Sequence, residues 1–270
     1  MTNRAARATA VIICLIILVL PAALSACRNP DYIYSETGAV ECGADGRPIV
    51  LDNNPDAVDP TFIELIDFIA RDTTDRNPYI DGEYVCADYA EDVHNNAEAA
   101  GIRAGWVGIN FDGIESGHAV NVFETIDRGT VYIDCTNGSN SDPSMADEGR
   151  DMIAYLEVGK KYGVIAVDQI IATGMDYYPL TYDYYAEREA AWETYAADME
   201  TYNESVADYN AQTAGRTFTI GSAAYRRMTD WKTDLINQAN DLKAYQETYG
   251  DGWYQSEYSS YTVKEISIHW

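Results

Sequence analysis

Positive charge is scarce in this chain of 270 residues. Lys and Arg together number 18 against 44 Asp and Glu, and the formal net charge at pH 7 is −26. An acidic surface repels phosphate backbones and provides no basic patch to bind them, so the composition argues against nucleic acid as a partner. Net charge bears on solubility and association, and we draw no conclusion about the fold from it.

Metal-binding patterns are also missing. The chain has only 3 His and 5 Cys, and no pair of them has the short spacing of a zinc site. The acidic stretch from Asp52 to Asp59 lacks the glycine and terminal glutamate spacing of an EF-hand loop, so we interpret it as a solvated loop. The sequence therefore predicts neither a metal ion nor another cofactor.

The chain has one apolar run near its start and none long enough to be an obvious membrane span. The run covers Val11–Leu20, follows Arg4 and Arg7, and precedes several small residues. Crossing a bilayer core of about 30 Å takes roughly 20 apolar residues, so a transmembrane helix is the weaker alternative. Basic residues, a short apolar run and small residues in this order favour an export signal over residues 1–26.

The residues Leu24-Ser25-Ala26-Cys27 form a pattern typical of bacterial lipoprotein processing. This pattern predicts that Cys27 becomes the N-terminus of the mature chain and carries a lipid, with plain secretion as the alternative. The protein would then be extracytoplasmic and held at a membrane by the lipid at Cys27. Three further cysteines, Cys42, Cys86 and Cys135, would remain, enough for one disulfide and one free thiol.

The rest of the chain divides into a spacer and a main domain. Residues 27–60 are rich in Asp, Asn, Gly and Pro, and are predicted to be a spacer that ends in a docking segment. Residues 61–180 are the predicted core. Apolar spacing predicts a helix from about Phe62 and a second helix from Cys86 that ends at Gly101. Antiparallel strands are predicted after it, over residues 102–111, 117–123 and 130–135.

Residues 181–249 have a different pattern. Aromatic and apolar residues recur every three or four positions on both sides of a loop near Gly215–Gly221, which predicts an antiparallel, coiled-coil-like helical hairpin. Its tyrosines are interpreted as packing in the seam, with a carbohydrate-binding surface as the alternative. The helices could pair within one chain or between chains.

The last segment, residues 250–270, alternates Ile266, Ile268 and Trp270 with polar residues. This alternation predicts a half-buried strand that returns to the main sheet. The helical hairpin would then be an insertion within one α+β domain.

Three residues along the core have the chemistry of a nucleophilic site. Cys86 begins a predicted helix, where the positive end of the helix dipole favours a thiolate. His118 begins a strand and Asp134 ends the next one, so the carboxylate could orient the imidazole once a bulge or strand twist closes an offset between them. Each residue alone has a structural alternative, a buried thiol or a hydrogen-bonded polar group in the core.

Local sequence blocks around these residues resemble a known superfamily. The histidine follows the cysteine far more closely than the roughly 130 residues of papain-type enzymes. The blocks are Tyr84-Val85-Cys86-Ala87-Asp88-Tyr89-Ala90, Ala99-Ala100-Gly101-Ile102-Arg103-Ala104, Gly117-His118-Ala119 and Ile133-Asp134-Cys135-Thr136. In this order they resemble the microbial transglutaminase-like superfamily, over about residues 62–136.

The resemblance implies a fold and a chemistry. The fold would be α+β, a transglutaminase-like relative of the papain core in which the cysteine-bearing helix packs on an antiparallel sheet. It implies Cys86 as nucleophile, His118 as general base and acid, and Asp134 as the orienting carboxylate. The leading hypothesis is an enzyme that forms a thioester and passes the acyl group to water or an amine. Its substrates would be peptide or isopeptide bonds in a peptide or protein, such as cell-wall peptide.

Several further expectations accompany this hypothesis. The oxyanion donors would be the backbone N–H of Cys86 and one more group, for which Tyr84 is the candidate. By elimination, Cys42 and Cys135 are the candidates for a disulfide, whereas pairing of Cys86 with Cys135 would inactivate the site. The alternative function is a non-catalytic scaffold lipoprotein that uses the helical hairpin to contact a partner.

Overall fold

The computed structural model describes residues 31–35, 38–136, 151–168, 171, 179–249 and 256–270. The predicted signal segment, 1–26, and the predicted lipidation site Cys27 lie outside these residues. Within them the protein is a mixed α+β structure, with four α-helices and a six-stranded antiparallel sheet. None of the helices in this part of the chain is both long enough and apolar enough to cross a membrane.

The strands form a small sheet and a large one. The small sheet pairs β1 (Asp31–Tyr32) with β2 (Val50–Leu51). The large sheet has the order β7-β6-β5-β4-β3-β8, and every neighbouring pair is antiparallel. Its strands are β3 (Gly105–Phe111), β4 (His118–Thr125), β5 (Gly129–Asp134), β6 (Met152–Tyr155), β7 (Gly163–Ala166) and β8 (Val263–His269).

The helices begin and end where local chemistry permits. Helix α1 (Phe62–Ile69) starts with a capping box, and a short 3-10 helix (Thr74–Arg76) follows it. Helix α2 (Cys86–Ala99) is followed by Gly101 at φ +83°, a left-handed conformation that glycine adopts without strain. The long helices are α3 (Tyr182–Thr213) and α4 (Ala223–Tyr249).

Both faces of the large sheet are buried. One face packs against α1 and α2 through Phe123 and Ile133. The other face encloses a second apolar cluster around Val122, Tyr162 and Val263. Burial on both sides explains why β6 and β7 are apolar runs without alternation.

The two edges of the large sheet approach each other at one end. Backbone hydrogen bonds run from Gly159 N–H to the Val263 carbonyl and from Val263 N–H to the Lys160 carbonyl, each 2.8 Å long, and Tyr162 N–H donates to the Tyr261 carbonyl at 3.1 Å. The segment before β8 is thereby fixed beside the start of β7. This contact places aromatic residues of the C-terminal segment over the enclosed cluster.

The helical hairpin is attached to the core through the base of α3. Tyr185 is buried there and stacks on Tyr155 of β6, with ring centroids 5.3 Å apart. Farther out, α3 and α4 pack on each other within one chain, and Tyr195 stacks on Tyr245 at 5.6 Å. The tyrosine contacts agree with the predicted packing in the seam.

The C-terminal strand is present, but its predicted buried face is only partly buried. Strand β8 pairs with β3, as the alternation predicted. Ile266 packs against the enclosed cluster, whereas Ile268 and Trp270 are 41% and 44% exposed. The prediction was wrong for these last two residues because the apolar cluster ends before it reaches them.

Candidate active site

The cysteine and the histidine begin neighbouring elements. Cys86 is the first residue of α2 and His118 is the first residue of β4. Helix α2 packs along β4, and the side chain of Asn121 donates to the Ala90 carbonyl at 2.8 Å, a buried bond that fixes the helix on the strand. The sequence therefore brings the Cys86 thiol and the His118 imidazole to the same end of this helix and strand pair.

The start of α2 is fixed by a carboxylate. Asp88 accepts hydrogen bonds from the backbone N–H of Val85 at 2.9 Å and of Ala44 at 3.2 Å. The first bond caps the helix, and the second attaches the loop before β2 to it. The backbone beside Cys86 is thus held on two sides.

The histidine and the aspartate form a buried pair. His118 Nε2 lies 2.8 Å from Asp134 Oδ2, and the two side chains are 1% and 6% exposed. The register of β4 and β5 pairs Asn121 with Ile133 and shows no shift, so Asp134 lies diagonally from His118 on the same face. Diagonal neighbours across a sheet are within reach of long side chains, which closes the offset without a bulge.

Asp134 accepts three hydrogen bonds. Its Oδ2 accepts from His118 and from the Tyr162 hydroxyl at 2.6 Å, and its Oδ1 accepts from the backbone N–H of Thr136 at 2.9 Å. Burial alone would raise the pKa of Asp134, but the charge of His118 and these hydrogen bonds lower it below the usual value. The carboxylate is therefore ionised and oriented.

Aromatic rings surround the imidazole. Tyr258, from the segment before β8, stacks on His118 with centroids 4.4 Å apart and planes at 24°. Tyr162 approaches the ring edge-on at 5.4 Å and 86°. Phe111 stacks behind Tyr258 at 5.2 Å. These contacts hold the imidazole plane and shield it from water.

The electrostatics favour a protonated imidazole. Burial disfavours the charged ring, but the charge of Asp134, its hydrogen bond and the interaction with Cys86 outweigh that effect and raise the pKa of His118 to about 10. Because Nε2 faces Asp134, Nδ1 is the ring nitrogen left for Cys86, and it has no hydrogen-bond partner in the described part of the chain.

A cavity of about 310 Å³ gives access to the sulfur. It is lined by α2, β3, β4, β8 and the loop before β2, and its lining includes Cys86, His118, Trp106 and Ser267. Cys86 is half-buried, so its thiol is accessible from the cavity whereas His118 is buried. The arrangement can bring a carbonyl group to the cysteine while the imidazole stays protected.

The predicted disulfide is not formed. Cys42, Cys86 and Cys135 are all free thiols. Cys42 is exposed and lines the cavity beside Cys86, whereas Cys135 is buried in the cluster between the large sheet and α1. Pairing by elimination was wrong because spacing along the chain does not show that the two thiols lie in different environments. Burial and the nearby charge of Asp151 raise the pKa of Cys135, which disfavours its thiolate form.

Tyr84 is not available as an oxyanion donor. Its hydroxyl donates to Asp92 Oδ2 at 2.6 Å and accepts from Asn77 Nδ2 at 3.0 Å. A hydroxyl has one proton, so the predicted role was wrong. The backbone N–H of Cys86 lies in the first turn of α2, where N–H groups have no partner within the helix, and it remains the candidate donor.

Sequence reasoning missed Tyr162 and Tyr258. The chain has 22 Tyr, and no motif distinguishes these two, which reach His118 only because the ends of β7 and β8 meet. Of the other histidines, His94 is buried against Asn95 and His269 packs near Trp106, so neither belongs to this site. In the described residues no group of His, Cys, Asp and Glu could hold a metal ion.

Comparison with known proteins adds no assignment. The chain matches no protein-family model, no curated protein and no solved structure. The chemical interpretation of this site therefore rests on its own geometry.

Proposed function

We propose that the protein is a transglutaminase-like cysteine enzyme that transfers acyl groups through a thioester on Cys86. The observation that carries the proposal is the buried pair of His118 Nε2 and Asp134 Oδ2, 2.8 Å apart, at the end of the sheet where Cys86 begins α2 beside an open cavity. Nucleophile, base and orienting carboxylate are the three groups that this chemistry needs.

The proposed reaction has two steps. The Cys86 thiolate attacks the carbonyl carbon of an amide, and the imidazolium of His118 gives its proton to the departing amine as the carbon–nitrogen bond breaks. Water or a second amine then loses a proton to His118 and attacks the thioester, which restores the thiolate. The oxyanion of each tetrahedral intermediate would lie near the backbone N–H of Cys86.

The proposed substrates are peptide or isopeptide bonds, supported by a cavity of about 310 Å³ that opens beside the half-buried Cys86 thiol. We further propose that the enzyme acts outside the cytoplasm, anchored by lipid at Cys27. We also propose that the core is papain-like, as the sequence blocks imply. The packing of the cysteine-bearing helix on an antiparallel sheet supports this proposal.

Burst kinetics with a chromogenic ester test the chemistry without a known substrate. The ester should release its alcohol in a fast first turnover while the mass of the Cys86 peptide rises by the acyl group. The Cys86→Ala variant should lose the burst, and Cys42→Ala, which removes the other thiol of the cavity, should keep it. Acylation that persists in Cys86→Ala, or that occurs on Cys42, would overturn the proposal.

A second candidate function is a scaffold that uses the helical hairpin. Helix α3 has 32 residues and spans about 48 Å at 1.5 Å per residue, and most residues of α3 and α4 are exposed. Replacing residues 196–244 by a short Gly and Ser turn keeps the buried base of α3. If the hairpin serves a partner, this variant should lose partner capture and keep Cys86 reactivity, whereas an intact interaction counts against this candidate.

A further inference from the structure

We infer that Tyr162 is a positioning residue for the histidine and aspartate pair, an inference that rests on the proposed function. Its hydroxyl donates to Asp134 Oδ2, the same oxygen that faces His118 Nε2. The geometry assigns Tyr162 the task of fixing the carboxylate, and through it the imidazole that serves Cys86.

The position of Tyr162 is itself fixed by the fold. Its side chain is fully buried and its backbone N–H donates to the Tyr261 carbonyl at 3.1 Å. The neighbouring residues Lys161 and Thr262 form an antiparallel bridge. Tyr162 therefore stands where the two edges of the large sheet meet, and it cannot move without opening that contact.

The hydrogen bonds of Asp134 show what the hydroxyl adds. Thr136 N–H holds Oδ1, and His118 and Tyr162 hold Oδ2 from two directions. Without Tyr162, the imidazole alone would hold Oδ2, and the carboxylate would be fixed by two hydrogen bonds in place of three. Partners of this kind set the orientation of a functional group and its proton affinity.

Tyr162 also contacts the imidazole directly. Its ring meets His118 edge-on, with centroids 5.4 Å apart and planes at 86°. One side chain thus contacts both partners of the pair, the carboxylate through its hydroxyl and the imidazole through its ring. Burial and the charge of Asp134 raise the pKa of Tyr162, so the hydroxyl keeps the proton that it donates.

The structural alternative is that Tyr162 only fills space. Its ring packs with Phe111 at 6.0 Å in the enclosed cluster. The Tyr162→Phe variant separates the two roles because it keeps the ring and removes the hydroxyl. Tyr155→Phe is a matched control, since Tyr155 is also buried but stacks on Tyr185 on the other face of the sheet.

The test is the pH profile of Cys86 alkylation in the full chain, followed by peptide mass spectrometry, together with ester turnover. Tyr162 is one of the donors that lower the pKa of Asp134. As the pH is lowered, Cys86 in Tyr162→Phe should therefore lose its reactivity at a higher pH than Cys86 in the unmodified protein. Its kcat should fall about 10-fold, as expected for a lost hydrogen bond to a charged group, with KM unchanged within about 2-fold. Tyr155→Phe should keep the original profile.

A profile of Tyr162→Phe that matches that of Tyr155→Phe would overturn the inference. The His118→Ala variant separates this outcome from failure of the proposed function. If His118→Ala leaves Cys86 reactivity unchanged, the proposed function fails. If His118→Ala slows alkylation and Tyr162→Phe does not change the profile, only the role of Tyr162 fails.

A second measurement needs no variant and covers the case in which Tyr162→Phe does not fold. The chain has only 3 His, so NMR can resolve the His118 ring. We expect a slowly exchanging tyrosine hydroxyl proton with a nuclear Overhauser contact to that ring. If the His118 ring is resolved and no such proton appears near it, the inference is wrong.

Discussion

Tyrosine residues are packed differently in the large sheet and in the helical hairpin. Around His118, the buried Tyr162 donates a hydrogen bond to Asp134, and the half-buried Tyr258 stacks on the imidazole, so each tyrosine constrains a neighbouring group. Along α3 and α4, beyond the buried Tyr185 at the base, the tyrosines are mostly half-exposed and stack in a seam. Among the residues whose burial the structure describes there, the buried hydrophobics of this seam are Leu235 and Leu242. A tyrosine side chain is therefore placed precisely where it is buried on every side, as in the large sheet, and less precisely in a seam between two helices.

The largest effect should follow from breaking the buried pair. Asp134→Asn keeps the shape of the side chain and removes the charge that holds the imidazolium, so ester turnover should fall by about 10³-fold or more. Glu193→Gln, the same kind of change on the exposed surface of α3, is the control and should keep full turnover. Comparable ester turnover in both variants would contradict the claim that the buried pair in the sheet, and not the surface of the hairpin, determines turnover.

The second largest effect is expected from a substitution at the contact between the large sheet and the base of α3. A Cβ at Gly163 would overlap the ring of Tyr185, which is buried at the base of α3. Gly163→Ala should therefore lower the free energy of unfolding by about 2 kcal/mol in a urea titration. An unchanged midpoint would mean that the base of α3 is not packed on β7 as described.

A half-buried carboxylate should make the stability of the protein depend on pH. Burial raises the pKa of Asp151 to about 7, and the charge of Asp75 adds to it. Because the folded-state pKa is raised, the unfolded protein releases this proton first, and stability decreases as pH rises through about 7.

The expected loss between pH 6 and pH 8 is about 1 kcal/mol for a single site of this kind. Urea titrations at both pH values measure it. Asp151→Asn should remove that dependence, and a variant with the same pH dependence as the unmodified protein would contradict the assignment to Asp151.

The seam of the hairpin should give the smallest effect. Trp231 Nε1 donates to Ser205 Oγ at 3.0 Å. Trp231→Phe removes this half-exposed bond and should cost about 0.5–1 kcal/mol, detected by thermal unfolding, with no change in ester turnover. A loss of turnover would show that the hairpin acts on the site, which the comparison between the two regions does not predict.

The sequence alone predicts the helix and the strands that carry the residues of the site. Helical spacing located the start of α2 at Cys86, and turn residues separated the strands that carry His118 and Asp134. Each of these signals is local, so a single sequence is enough to predict it. The order of elements and the mixed α+β class follow from the same local patterns.

The parts that could not be predicted depend on contacts between distant segments. Tyr162 and Tyr258 contact His118 only because the two edges of the sheet lie close together, and the spacing of residues along the chain does not predict that contact. The exposure of Ile268 depends on where the enclosed cluster ends. The free Cys135 depends on which face of the sheet it occupies, which the sequence does not reveal.

The most direct test of the central claim is the alkylation of Cys86 by iodoacetamide at pH 7, located by peptide mass spectrometry, in the unmodified protein and in His118→Ala. Because His118 has a pKa raised to about 10 and faces the sulfur, we expect fast alkylation that falls by at least about 10-fold in the variant. Cys42, exposed in the same molecule, is an internal control that should react equally in both. An unreactive Cys86, or equal rates in the two proteins, would contradict the claim that Cys86 and His118 act together.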